Sequence, residues 1–227
     1  MANWPNRTLF VADNIFILRG MNSESVDCIA TDPPFNAKRV FNAPLGSRSA
    51  EQRFDDRWRW DEVTDEWQDL IASDHPAIKE IIEAAAVIEG GSIDHRTGKI
   101  ATGAKNSIAA YLAYMAPRIV EMRRVLKPTG VLFLQCDGEA NAYLRLLMDG
   151  VFGRGQCINE VTVRRTMSKG LASRRLPRNS DTVLAYGKTR KWKWNPSHEP
   201  YDMANLDEKT LQQYAKIDGG GGAKINH

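Results

Sequence analysis

Apolar positions along the chain change their period several times, and each change marks an expected element. Residues 9–12 are a short apolar run, read as a strand; Asp13-Asn14 then caps a short helix over 15–18 that stops near Gly20. Residues 26–31 are apolar and β-branched and end at Asp32-Pro33-Pro34-Phe35. This predicts a buried strand with an acidic turn, because neither proline can donate into a sheet ladder. Over residues 36–106 regularity is lost: Phe54, Trp58, Trp60 and Trp67 stand among charges, with one apolar helical piece over 78–88. So long an irregular stretch predicts a lid, a binding loop or disorder.

From Ile108 the pattern tightens. Leu112, Met115, Ile119, Met122 and Leu126 alternate spacings of three and four, one face of a helix that Lys127-Pro128-Thr129-Gly130 is expected to end. Residues 131–135 read as a second buried strand, 141–148 as a helix, and 160–165 with 182–186 as further strands. Strands alternating with helical crossovers predict an α/β fold, a doubly wound, mostly parallel sheet. Ligands bind such sheets at the carboxyl ends of strands, where Thr31-Asp32 and Cys136-Asp137 stand.

The 227 residues allow one domain, or one and a half. Three cysteines (Cys28, Cys136, Cys157) without a C-x-x-C pair read as small buried hydrophobes. The four histidines have no metal-ligand spacing, so no metal is expected. No apolar run nears the roughly 20 residues of a membrane span, and the first seven residues lack an export signature, so a cytoplasmic, membrane-free protein is expected. The net charge of +3 names no partner, but its distribution is uneven. Between Val163 and Trp194 ten basic residues face only Asp181, which suits either a phosphate backbone or a solvated loop.

The most informative residues are Thr31-Asp32-Pro33-Pro34-Phe35-Asn36. Read plainly, they form a rigid turn after a strand. Read chemically, they offer a carboxylate, a proline carbonyl outside any ladder and a fixed aromatic ring. That set suits a planar group with an exocyclic amine. The six residues resemble the D-P-P-[YF] motif of S-adenosylmethionine-dependent DNA amino-methyltransferases of the permuted β class. Val11-Ala12-Asp13-Asn14 with Ser25-Val26-Asp27 is similar to the family's "GDN … SVD" lead-in, although Ala12 replaces the usual glycine. The segments 122–130 and 149–165 resemble the following parts of the family, so the likeness runs over roughly residues 8–203.

The resemblance implies a Rossmann-like methyltransferase sheet, incomplete here, with a β-hairpin near the C-terminal end. It divides the chain into a partial catalytic domain over 1–190, with a loop insertion at about 36–107, and a segment 191–227 that begins a target-recognition region or is disordered. It implies S-adenosylmethionine as cofactor and double-stranded DNA as substrate, with adenine N6 methylated on a flipped-out base. Asp32, Pro33, Pro34 and Phe35 are the implied catalytic residues. Asp13, Asn14 and Asp32 are the implied cofactor contacts; for Asp13 a plain helix cap is the equal rival. Asn36, Lys38, Arg39, Arg164, Arg165 and Lys169 are the implied DNA contacts. The family's cofactor loop, F-x-G-x-G between strand and helix, has a near match at Phe152-Gly153-Arg154-Gly155. That match follows an expected helix and precedes an expected strand, so it is rejected. The expectation is therefore the N-terminal part of such an enzyme, either truncated and inactive alone or completed by a second chain or second copy. Cytosine-N4 methylation and a non-catalytic nucleic-acid-binding relic stay open as alternatives.

Overall fold

The computed structural model describes residues 7–37, 40–42, 53–63, 75–94, 99–101, 107–165 and 179–196. It separates into two compact units, Met1–Lys193 and Trp194–His227, and only the first three residues of the second are described. The first unit contains α1 (Asn14–Gly20), β1 (Val26–Thr31), β2 (Val40–Asn42) and β3 (Arg53–Asp55). It continues with α2 (Pro76–Ile88), β4 (Ser92–Asp94), β5 (Lys99–Ala101), α3 (Ile108–Val125), β6 (Leu126–Cys136), α4 (Asn141–Phe152), β7 (Cys157–Arg164) and β8 (Ser180–Gly187). The main sheet has the order β1-β6-β8-β7; β2–β3 and β4–β5 are separate two-stranded ribbons. β1 and β6 are parallel, while β8 runs antiparallel to both its neighbours. Hence β1, β6 and β7 share one direction, in a mixed α/β sheet of the Rossmann-like kind with a β7–β8 hairpin.

Side chains alternate across a strand, so the register sorts them onto two faces. Leu132 and Leu134 of β6 share a face with Ile29 of β1 and with Tyr186 and Leu184 of β8. That face joins one buried cluster with Ile78 and Ile82 of α2, Leu112, Met115 and Ile119 of α3, and Leu144 and Leu147 of α4. Each such side chain contributes about 1.5–3 kcal/mol on burial. On the other face Phe133, Val161 and Val163 remain substantially exposed.

Helix α3 organises its neighbours through polar ends. Ser107 caps it by accepting from the Ala110 N–H, while Glu89 accepts from the Ser107 hydroxyl and the Ile108 N–H, placing negative charge at the helix start. Two arginines on α3 then hold both ends of α1. Arg118 donates to Asp13 and Asn14 at its start; Arg124 donates to the Leu18 and Met21 carbonyls at its end.

Three expectations need correction. Residues 9–12 form no strand, and Leu9 is 88% exposed. β1 is not buried but lies at the sheet's edge, with Asp27, Cys28 and Ala30 exposed. Cys28 is therefore no core residue, while Cys136 is buried and Cys157 intermediate; all three are free thiols. Finally, residues 127–130 do not trail from α3. The chain turns extended at Leu126, which is buried and pairs with Val26, so β6 begins five residues early. Pro128 falls where the β1–β6 register shifts, a place that spares its missing N–H.

Among the described residues no helix is long and apolar enough to cross a membrane, and no group of three or more His, Cys, Asp or Glu could hold a metal ion.

Candidate active site

Asp32 leaves the carboxyl end of β1 beside the parallel end of β6, where Thr31 is in register with Leu134, two residues before Cys136. Its side chain is exposed, and no hydrogen bond or ion pair engages it. Pro33, Pro34 and Phe35 are half-buried. The turn they form is tied from two directions. The Tyr111 hydroxyl, from α3, donates to the Pro34 carbonyl at 2.7 Å. The carboxylate of Asp56 accepts from the Asn36 N–H at 3.0 Å and from the Ala37 N–H at 2.7 Å. Asn36 itself sits in the left-handed region at φ 58°, a conformation in which Asn is several-fold enriched.

Asp56 is 1% exposed, and its third donor is the Trp58 indole N–H at 3.0 Å. The Trp58 ring packs on Tyr114, centroids 4.2 Å apart, and the Arg118 guanidinium lies 3.4 Å over the other partner's ring centre, that of Tyr114. Arg118, 2% exposed, donates from Nη2 to both oxygens of Asp13 at 2.9 and 2.7 Å and from Nε to Asn14 Oδ1 at 3.2 Å. A continuous line of contacts thus runs from the Asp13 cap to the turn after Asp32. Burial, and next the negative charge of Asp56, push the Tyr111 phenol well above its usual range, so it serves as a donor. Burial, and next Asp137, push the Cys136 thiol up to about 12, which leaves it inert.

The structure brings Asp32, Pro33, Pro34 and Phe35 together in one turn. Asp13 is 38% exposed, caps α1 through the Ile15 N–H, and is engaged by Arg118. Among the expected DNA contacts, Asn36 is buried, with its N–H held by Asp56. Arg164, the last residue of β7, and Arg165 just after it are exposed; Arg165 pairs with Asp181 at 3.2 Å. Lys38, Arg39 and Lys169 lie outside the described residues. Trp58 and Trp60, set in the irregular stretch, pack against the core. The near match to F-x-G-x-G is a helix end: Phe152 closes α4, Gly153 caps it at φ 93°, and β7 follows. Sequence reasoning missed Asp56, Tyr111 and Arg118. Only Arg118 left a trace, as a charge between Met115 and Met122 on an apolar helical face.

Beside the site a groove of about 370 Å³ lies between α1, β1 and α3, lined by Phe10, Ala12, Asn14, Ile29, Thr31 and Met122 among others.

The sequence profile of the DNA methylase family matches residues 26–218, most of the chain. The chain belongs to that family. Among its relatives are the type II methyltransferase M.EcaI of Enterobacter cloacae, 31% identical over 52% of the chain and 25% of the relative, and the StyLTI Mod subunit, from a type III restriction-modification enzyme of Salmonella typhimurium, 30% identical over 48% and 17%. The EcoP15I Mod subunit of Escherichia coli is 22% identical over 91% of the chain and 29% of its own length. The chain thus spans a quarter or less of the first two relatives. A solved structure of an M1.HpyAVI–SAM complex shares 14% identity, covers 46% of this chain and 58% of that one, and gives a TM-score of 0.30.

Proposed function

We propose that this chain carries the base-binding and catalytic motif of a DNA methyltransferase that acts on adenine N6 of a base turned out of the duplex, with S-adenosylmethionine as methyl donor. The observation that carries this reading is the Asp32 carboxylate, exposed and unengaged at a strand end within an otherwise tied turn. One N6–H bond is directed to Asp32 and the other to the Pro33 carbonyl, which favours a pyramidal nitrogen and frees a lone pair otherwise delocalised into the ring. Phe35 stacks on the base, which is unreachable inside the duplex. Alignment and charge then carry the displacement. The donor, when bound, supplies an electrophilic sulfonium methyl. After transfer the nitrogen gives up its proton, with Asp32 Oδ the nearest acceptor.

The residues present fit part of that donor. The groove offers apolar walls at Phe10, Ile29 and Met122 and a polar edge at Asn14. Asp13 and Asp32 adjoin its lining residues in the chain and would hold the adenosine part. No glycine-rich strand-to-helix turn stands among the described residues to cradle the methionine end. Strands added at the edge of β1, which is unpaired among the described residues, supply the rest. The exposed edge, the groove and exposed Leu9, Val11 and Phe16 support this. Arg164, whose side chain makes no ion pair or hydrogen bond among the described residues, and Arg165 lie along the phosphate backbone.

The chain alone therefore transfers methyl groups only at about millimolar donor. Incubating DNA with labelled donor at that concentration, followed by nucleoside analysis, tests the reading. N6-methyladenine that disappears in Asp32→Ala supports it; N4-methylcytosine moves the assignment to cytosine. No product with either protein, while DNA still binds, leaves the chain a binding relic.

A further inference from the structure

The turn after β1 is fixed at some of its polar groups and left open at others, and the division follows a rule. The carbonyl of Pro34 and the N–H groups of Asn36 and Ala37 are all taken, by Tyr111 and Asp56. The Asp32 side chain and the Pro33 carbonyl are engaged by nothing among the described residues. The two open acceptors therefore stay available to a ligand, while the backbone on either side of Phe35 is held.

The anchor also comes from far away in the chain. Asp56 lies 20 residues beyond Asn36, and Tyr111 lies 77 residues beyond Pro34. A buried carboxylate is costly unless its lone pairs are filled. Asp56 meets that cost with three N–H donors, Oδ1 taking Asn36 and Trp58 and Oδ2 taking Ala37. The clamp holds Asn36 in its left-handed conformation, one that Asn tolerates better than most residues.

We propose that Asp56 and Tyr111 are positioning residues for methyl transfer. They hold the turn so that Asp32 Oδ, the Pro33 carbonyl and the Phe35 ring face the target base together. This rests on the function proposed above. Neither residue touches the base; each acts through the backbone of the turn.

The test compares Asp56→Asn and Tyr111→Phe with the wild-type chain. Asp56→Asn keeps the acceptor for Asn36 and Trp58 but sets an NH₂ against the Ala37 N–H. Its kcat falls about 30- to 100-fold, because small misplacements of reacting groups have effects of that size. KM for DNA and for donor stays within about threefold, and so does the fraction folded. Tyr111→Phe loses one hydrogen bond and falls about 5- to 10-fold in kcat. A second readout needs no turnover. With 4-fluorophenylalanine throughout, the Phe35 line, assigned by its loss in Phe35→Leu, is single in the wild type and doubled or broadened in Asp56→Asn. Unchanged kcat with an unchanged Phe35 line overturns the proposal, as does a loss confined to KM. If the wild type makes no methylated product, the function reading fails; the fluorine line then decides the clamp alone, an unchanged line overturning it.

Discussion

The two flanks of the sheet are made from similar residues and end differently. On the flank of β6 and β8, apolar side chains close against α2, α3 and α4, and the helix ends find partners in Ser107, Glu89 and Lys188. On the flank of β1 the strand edge is bare, an apolar groove lies open, and Leu9 and Val11 point into solvent. The finished flank explains why the chain folds. The open one carries Asp32, Pro33, Pro34 and Phe35. Edges with unpaired N–H and C=O groups are a hazard that proteins normally cover; β7 is also an edge among the described residues, but the edge at β1 is the one that adjoins the motif.

Removing core on the finished flank breaks the contrast most strongly. Leu132→Ala, at a fully buried position in β6, should destabilise by about 2–5 kcal/mol in urea denaturation. Leu9→Ala on the open flank should change stability by less than about 0.5 kcal/mol. Equal losses would mean that the open flank is as well packed as the other.

Asp13→Ala comes next, because it leaves the Arg118 guanidinium buried without its anion. A loss of about 2–3 kcal/mol is expected. This is below the roughly 3–5 kcal/mol for fully buried pairs, since Asp13 is partly exposed. A change of only a few tenths would reduce Asp13 to a surface cap.

The flanks also differ in what they make legible. The finished one could be read closely: the period of three and four found α3, and the β-branched and apolar runs found β6, β7 and β8 within about five residues. Where the reading failed, tertiary context decided. Residues 9–12 have strand composition but join none of the described sheets, and Pro128 lies in a strand because the register shifts there. At the site, the motif showed Asp32 to Phe35, but not the clamp. Asp56 is one of two adjacent aspartates, and nothing in the sequence says that it is buried while Asp55 pairs with Arg57 at the surface.

A finer test concerns Phe35. If it stacks on an extruded base, Phe35→Ala should lose roughly 1–3 kcal/mol of base binding and Phe35→Tyr should be tolerated. Base-analogue fluorescence measures both. Equal damage from the two substitutions would place Phe35 in the core and not at the base.

The smallest effect expected is on the finished flank and comes from pH. The Cys136 thiol is raised from 9.0 to about 12 on folding, chiefly by burial. Its unfolded form loses a proton first, so its contribution is complete below pH 9 and is lost as pH rises toward 12. Cys136→Ala should flatten the decline of stability between pH 9 and 10, measured by denaturation at each pH. An unaltered slope would show that the thiol is reached by water in the folded chain.

The central claim is that the open flank holds only part of the donor's site. Calorimetry with S-adenosylmethionine titrated into the purified, monomeric 227-residue chain tests it most directly. The account predicts no stoichiometric binding in the micromolar range, since a ligand held on one side forfeits most of its burial. Stoichiometric micromolar binding would contradict it and show that the chain already contains the whole cradle.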